Sequence, residues 1–223
     1  MTDAGLPAVE RIVRSLATTA VENEKYFGEL DSVVGDGDFG YSMARGFEVV
    51  LAGWDGLDRT DTATFLRRVA LIITSRMGGT SGPLWGTAFL RAAAVVKDAE
   101  TIDAAMVIAM LRGAVKGIQD RGKADLGDKT LLDALVPAID ELERRLAEGG
   151  SPRAAVRATA EAARVAADGT SMMRAMRGRA SYSGERSIGS PDPGAVAVAV
   201  MLEQIADNWP DSWPDDRPEE GSS

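Results

Sequence analysis

The chain has 223 residues, 45% of them hydrophobic, which is enough to bury one sizeable core in a single domain. Its formal net charge of -9 argues against a nucleic-acid surface, because neutralising phosphates requires clustered Lys and Arg. The chain has neither Cys nor His, which excludes disulfides, thiolate sites and imidazole chemistry of its own. We expect a cytoplasmic protein, since no signal peptide and no apolar run of membrane length is visible.

Apolar residues recur at helical spacing along nearly the whole chain, and no stretch alternates at period two for more than a few residues. A first helix begins at Pro7 and continues towards Leu30. Further helices are predicted near 42–53, 61–77, 83–98, 101–121, 128–148, 152–168 and 193–207. Because the loops are short, neighbouring helices should be antiparallel, which gives one all-α domain of about eight helices over residues 1–208. The acidic, proline-containing segment 209–223 is predicted to be a flexible tail.

The run from Asp31 to Gly40, DSVVGDGDFG, places three carboxylates beside three glycines at the end of a helical pattern. Carboxylate oxygens suit Mg²⁺, and glycine lets a loop turn its acids inward. An EF-hand is excluded, because its fifth and twelfth positions would be Gly40 and Phe47, which have no oxygen side chain. From these residues alone, an ordinary solvated Asp-Gly turn remains the alternative.

Glycines and hydroxyl residues stand directly before a predicted helix in the segment 78–86, GGTSGPLWG. Helix N-termini present unpaired N–H groups, so this segment has the outline of an anion site. A C-cap followed by an N-cap would also explain Gly-Gly and Ser-Gly-Pro, but the run is longer than capping requires.

Residues 117–123 fit the pattern G-x-x-x-x-G-K of a phosphate loop, but Ala124 stands where Ser or Thr must reach the metal. The preceding segment is also helical, so a phosphate loop is rejected. What remains is a glycine-hinged turn in which Asp128 caps the next helix, with Lys123 and Lys129 as solvated charges.

The segment 177–194 is unusually long for a connection in a helical protein, which favours a functional loop. Arg179 and Arg186 within it offer forked donors to phosphate, although each alone is equally explained as a surface charge.

Together and in this order, the four loops resemble the L subunit of dihydroxyacetone kinases. The resemblance spans roughly residues 6–207. It rests on LDxxVGDGD from Leu30, GGTSGPL from Gly78, GKAxxGDKT from Gly122, and GRASY from Gly178 with DPGA from Asp192. Four motifs at the family's spacing are far more specific than any one of them.

The resemblance implies an antiparallel eight-helix barrel with an adenine nucleotide site in the loops at one end. It implies that Asp31, Asp36 and Asp38 hold two Mg²⁺ ions and, with Arg179, are the catalytic residues. The implied contacts of ADP or ATP are Phe39, Gly40, Tyr41, Ser42, Thr80, Ser81, Gly122, Leu131, Arg179, Asp192, Pro193 and Gly194. Phosphoryl transfer needs mainly positioning and charge neutralisation, so a site without histidine is chemically adequate.

In this family the ketone is held on a separate K subunit or domain through a covalent histidine adduct, which this chain has no histidine to form. The resemblance therefore implies half of a kinase, with a K-type partner that holds dihydroxyacetone or a related short keto-sugar such as erythrulose. The alternatives are a nucleotide-binding regulator of a partner protein and a helical scaffold whose glycine loops are only turns.

Position 39 distinguishes two groups within the family. It is often His in L subunits that keep ADP as a coenzyme recharged by a phosphotransferase-system phosphocarrier, whereas ATP-using relatives carry other residues. A Phe39 side chain donates no hydrogen bond to phosphate, so this position favours free ATP as the phosphoryl donor.

Overall fold

The computed structural model describes residues 5–99 and 101–210, and within them it contains nine α-helices and no β-strand. From the N-terminus these are α1 (Leu6–Glu22), α2 (Glu24–Ser32), α3 (Phe39–Ala52), α4 (Thr62–Arg76), α5 (Ser81–Val95), α6 (Ala104–Gly122), α7 (Leu132–Ala147), α8 (Pro152–Gly169) and α9 (Pro193–Asp207). The all-α prediction is confirmed, and among the described helices none is long and apolar enough to cross a membrane. Apart from residues 209 and 210, the predicted tail lies outside the described residues.

The predicted first helix is two helices, because the chain breaks at Asn23. Its backbone lies at φ -103° and ψ 16°, and its side-chain amide donates to the Thr19 carbonyl at 2.9 Å. Such side-chain bonds compete with the helical ladder. The ladder restarts at once, with the Phe27 N–H donating to the Asn23 carbonyl at 2.9 Å. A break of one residue leaves the apolar period intact, so the pattern did not reveal it.

The helices pack in the order in which they occur, from α3 on α4 through to α8 on α9. Helix α9 returns to pack on α1, and α1 packs on α3, so the order of neighbours closes on itself as a barrel requires. Short connections make the successive helices from α2 to α8 antiparallel. The α8–α9 loop is long, but the Asp192 N–H donates to Thr170 Oγ1 at 2.8 Å, so α9 begins beside the end of α8. The connections α2–α3, α4–α5, α6–α7 and α8–α9 therefore fall at one end of the molecule, which we call the loop end.

Close contacts between helices position two of these connections. A methyl group on Gly40 would overlap the Glu24 carbonyl, so α2 and α3 meet backbone to backbone. A methyl group on Gly86 would overlap the Thr74 hydroxyl, which brings α4 and α5 equally close. Only glycine permits these approaches, because any other residue places a Cβ in the contact.

Side chains cap the starts of several helices, but not that of α7. The side chains of Asp61, Ser151 and Asp192 each accept the N–H three residues on, at 2.7, 3.2 and 2.8 Å. The predicted cap Asp128 is wrong, because α7 begins only at Leu132. Instead Asp133 inside the first turn accepts the N–H groups of Gly127 at 2.5 Å and Thr130 at 2.7 Å, which folds the preceding residues into a separate turn.

The cap Asp192 is also an unusual acid. Burial raises the pKa of its carboxyl to about 7 and the charge of Asp133 adds to this, while the Ala195 N–H and the Lys129 ammonium oppose it. The folded protein therefore binds this proton more tightly than the unfolded chain does. Ionising Asp192 costs stability progressively as the pH rises from about 4 to about 7.

We expect Asp192→Asn to flatten this pH dependence, because Asn caps helices as well as Asp but has no charge to bury. Relative to the wild type, the variant should gain unfolding free energy as the pH rises from about 4 to about 7, by at most about 4 kcal/mol. Urea unfolding at a series of pH values measures this. The same change at the exposed α6 cap Asp103 is the control. Parallel curves for wild type and Asp192→Asn would contradict the assignment.

Candidate functional site

Three carboxylates converge at the junction of α2 and α3. Asp31 lies in the last turn of α2, Asp36 lies in the loop, and Asp38 immediately precedes α3. One oxygen from each lies within 4.8 Å of the others. Gly37 sits in the turn at φ 75°, a left-handed value that favours glycine. The Phe39 N–H donates to Asp31 Oδ2 at 3.3 Å, so the start of α3 orients this acid.

An arginine from a distant loop completes this cluster. Arg179 Nη1 pairs with Asp36 and lies 3.1 Å from Asp38 Oδ2. The loop between α8 and α9 thus reaches back across the molecule, and its Ser183 hydroxyl also donates to the Val34 carbonyl at 3.4 Å. The structure brings together the four residues predicted to be catalytic.

The first turns of α3 and α5 lie beside each other. Ser42 is buried, with its hydroxyl oxygen 3.0 Å from where a Cβ on Gly78 would stand. Gly79 follows at φ 62°, and the Thr80 side chain precedes α5 without capping it. In the first turn of α3 the N–H groups of Gly40 and Tyr41 have no helical acceptor, so they are available to an anion. At the start of α5 the Gly82 N–H donates to the Gly78 carbonyl at 3.5 Å and Pro83 has no N–H, so Ser81 is the available donor there. Ser81 is the first residue of α5.

Gly40 and Tyr41 contribute to this site through the backbone. Packing against Glu24 fixes Gly40, as described above. The Tyr41 ring is exposed and has the Arg45 guanidinium 5.0 Å from its centroid. Their N–H groups belong to the first turn of α3, where they can donate to a bound anion.

The remaining candidates lie around the starts of α7 and α9. A Cβ on Gly194 would stand 3.3 Å from the Leu131 Cβ, and one on Gly122 would stand 3.1 Å from a methyl carbon of Leu84. Pro193 is the buried first residue of α9. Leu84 belongs to the first turn of α5, so these contacts join the end of α6 to the start of α5, and the α6–α7 loop to the start of α9.

Together with the helix ends that flank them, the four loops therefore form a ring in which each contacts the next. Arg179 closes it by joining the last loop to the acids of the first. No described contact joins Gly122 or Leu131 directly to the acids. The ring leaves the acid cluster and the nucleoside candidates on different sides of the same loop end.

One residue on this ring was misread from the sequence. Lys129, predicted to be a solvated charge, is 2% exposed, and its Nζ donates to the carbonyls of Met173, Ser187 and Ser190. Lys123 is exposed, as predicted. The sequence does not distinguish the two lysines, because both lie in the same glycine-containing segment between two predicted helices. Their backbones are also alike, since both have positive φ.

Comparison with known proteins gives this geometry a context. The chain is similar to the ADP-binding subunit DhaL of a PEP-dependent dihydroxyacetone kinase from Escherichia coli, with 38% identity over 82% of this chain and 87% of that subunit. It is also similar to a D-erythrulose kinase of Mycolicibacterium smegmatis, with 35% identity over 92% of this chain and 36% of that enzyme.

A solved structure agrees with the fold. The crystal structure of the dihydroxyacetone kinase from C. freundii in complex with AMP-PNP and Mg²⁺ matches with a TM-score of 0.72 and 28% identity, covering 90% of this chain and 34% of the kinase chain. This chain thus spans about a third of the crystallised one. A family model, that of the DAK2 domain, matches residues 33–207. By this match and by its four loops, the chain belongs to the DAK2-domain family.

Proposed function

We propose that this chain is the Mg²⁺- and nucleotide-binding subunit of a kinase that phosphorylates dihydroxyacetone or a related short keto-sugar held on a separate K-type subunit. The observation that carries the proposal is the ring of four loops, which sets three converging carboxylates beside two helix N-termini. Similar proteins are named as ADP-binding subunits or keto-sugar kinases, and one solved relative was crystallised with AMP-PNP and Mg²⁺.

The acid cluster suits Mg²⁺. Oxygens bound to one Mg²⁺ at 2.0–2.1 Å lie at most about 4.2 Å apart, and the carboxylate oxygens are already within 4.8 Å of one another. All three ligands are hard oxygen donors, which Mg²⁺ prefers to nitrogen or sulfur. We propose that Asp31, Asp36 and Asp38 hold two ions, with phosphate oxygens completing their coordination.

Each group of the ring has a task in this proposal. Mg²⁺ supplies neutralisation of the phosphate charge. The first-turn N–H groups of α3 and α5, with the hydroxyls of Thr80 and Ser81, bind phosphate oxygens. Arg179 supplies a forked donor that moves from the acids to the phosphates. The nucleoside lies between the α6–α7 loop and the start of α9, against Gly122, Leu131, Asp192, Pro193 and Gly194.

The ketone comes from a partner. This chain has no histidine to form the family's covalent adduct, so its nucleotide must meet a keto-sugar held elsewhere. Which keto-sugar is used depends on that partner, and the names of the relatives include both dihydroxyacetone and erythrulose kinases. A regulator would instead bind a partner protein without sustained turnover.

We expect Mg²⁺ and ADP to bind together and only weakly apart, because three carboxylates without a metal repel phosphates. Calorimetry should show ADP affinity at least about tenfold lower in the presence of a chelator. Asp36→Asn should weaken Mg²⁺·ADP binding by a similar factor. Asp55→Asn is the control, because Asp55 is an exposed acid in the α3–α4 connection, at the opposite end. Equal ADP affinity with and without chelator would remove the metal site.

Nucleotide should also order the ring. Because four separate segments bind one ligand, Mg²⁺·ADP should raise the melting temperature and slow hydrogen exchange in residues 35–42, 78–83 and 178–194. Mass spectrometry of peptides from each segment measures this, with peptides from the middle of α8 as the internal reference. Protection confined to the helices would mean that these loops are only turns.

The phosphoryl donor is the third test. A charge-assisted hydrogen bond contributes about 1.5–3 kcal/mol, so a chain with Phe39 should release ADP at least about tenfold faster than Phe39→His. We therefore propose that ATP exchanges in every cycle. The purified chain, a matching K-type subunit, dihydroxyacetone or erythrulose, Mg²⁺ and ATP should then sustain turnover.

The reaction is run without phosphotransferase proteins. Phe39→Leu is the control for Phe39→His, because it removes the aromatic side chain without adding a hydrogen-bond donor. A single turnover that resumes only when a phosphorylated carrier protein is added would show that ADP is a bound coenzyme. Binding of the K-type subunit with no turnover under either condition would favour a regulator.

A further inference from the structure

The ammonium group of Lys129 joins both legs of the loop between α8 and α9. It donates to the carbonyls of Met173 at 3.2 Å and Ser190 at 2.7 Å, and to that of Ser187. The first of these lies near the beginning of the loop, and the other two lie near its end. One cation therefore closes the loop at its base.

The rest of the base is built around the same point. The Met176 N–H donates to the Asp128 carbonyl at 3.0 Å, and Arg177 pairs with the Asp128 side chain at 2.8 Å. The Ala175 N–H donates to the Ser187 hydroxyl at 2.9 Å, which crosses between the two legs. The Gly189 N–H also joins the legs, by donating to the Ser171 carbonyl at 2.8 Å. Met176 and Arg177 tie only the first leg to the α6–α7 turn, whereas Lys129 contacts both legs through one group.

A buried ammonium is expensive unless its hydrogen bonds are satisfied. Lysine has three donors, and three carbonyls accept them here, so the group is fully used. Burial lowers the pKa of Lys129, and the nearby Asp192 carboxyl offsets this shift only in part. The side chain reaches this position from a backbone at φ 61°, a left-handed value that few residues other than glycine adopt.

The closed loop carries two of the proposed nucleotide contacts, Arg179 and Asp192. Arg179 lies at its tip, between the legs, where it contacts the acid cluster. Asp192 and the start of α9 come two residues after Ser190, and the Asp192 N–H donates to Thr170 Oγ1 at 2.8 Å. The position of each therefore depends on where the base of the loop is fixed.

We propose that Lys129 is a positioning residue for nucleotide, which fixes the α8–α9 loop so that Arg179 and Asp192 meet the ligand together. The proposal rests on the proposed nucleotide function. It requires that the loop is already ordered in the ligand-free protein. Without the ammonium, the loop would lose its conformational entropy only when nucleotide binds, which lowers the affinity.

Lys129→Met tests this directly, because it keeps an unbranched side chain only one atom shorter but removes all three donors. Lys123→Met is a matched control: Lys123 lies in the same α6–α7 connection, also has positive φ at 50°, and is exposed. Lys129→Gln retains an amide that can donate to two of the carbonyls without burying a charge.

Hydrogen exchange and the Kd for Mg²⁺·ADP are measured at a temperature well below melting. Hydrogen exchange of the ligand-free proteins should be faster in residues 173–190 of Lys129→Met, with α3 to α5 unchanged. The Kd for Mg²⁺·ADP should rise about tenfold. Lys129→Gln should lie between Lys129→Met and the wild type, and Lys123→Met should match the wild type in both measurements. Circular dichroism verifies that each variant is folded.

The outcomes separate this proposal from the nucleotide function itself. If the wild type does not bind Mg²⁺·ADP, the proposed function fails, and the exchange of the ligand-free loop still reports whether Lys129 fixes it. A Kd within about twofold of the wild type in both Lys129 variants overturns the proposal, as does exchange that rises equally in every helix. Should Lys129→Met not fold, Lys129→Gln decides alone, and an unchanged Kd in it overturns the proposal.

Discussion

Like charges held close together are the constraint on which this structure depends. Two carboxylates about 4 Å apart repel by about 1 kcal/mol in bulk water and about 4 kcal/mol near a protein surface, and three converge here within 4.8 Å. One guanidinium, that of Arg179, offsets only part of this charge. The remaining negative charge is what the proposed Mg²⁺ would neutralise, and the ion pairs of Arg179 draw the α8–α9 loop across the end of the molecule. The ion pairs of Arg179 with Asp36 and Asp38 thus hold a loop that begins at α8 and ends at α9.

The alternation of helices explains why the chemistry gathers at one end. With antiparallel neighbours, every second connection returns to the same end, and all four motif loops are connections of this kind. The other end is tied down by packing instead. There, Trp54 lies edge to face with Phe65 at 5.7 Å, and the guanidinium groups of Arg14 and Arg59 stand 4.7 and 5.6 Å from its ring. A buried aromatic residue between two cations fixes a connection.

The sequence predicted what depends on local signals. Apolar period and capping residues placed the helices within about one turn, and the acid cluster was found because three acids lie within eight residues. The break at Asn23 was missed because it does not shift the period. Lys129 and Asp133 were missed because their roles depend on partners: 44 to 61 residues away for Lys129, and within a turn that no pattern marks for Asp133. Long-range contacts of polar side chains have no period to reveal them.

The start of α3 shows how packing and chemistry are divided within single residues. The Phe39 ring packs beside Phe27, with centroids 6.1 Å apart, while its N–H donates to Asp31 Oδ2. The backbone at this position serves the acid cluster and the side chain does not. A change of side chain at position 39 can therefore alter the packing at the start of α3 while the backbone bond to Asp31 is kept. At Gly40 the opposite holds, because contact with Glu24 excludes any side chain. The two adjacent residues therefore differ in what they tolerate: the side chain at position 39 packs on α2 without orienting the acids, whereas position 40 admits no side chain.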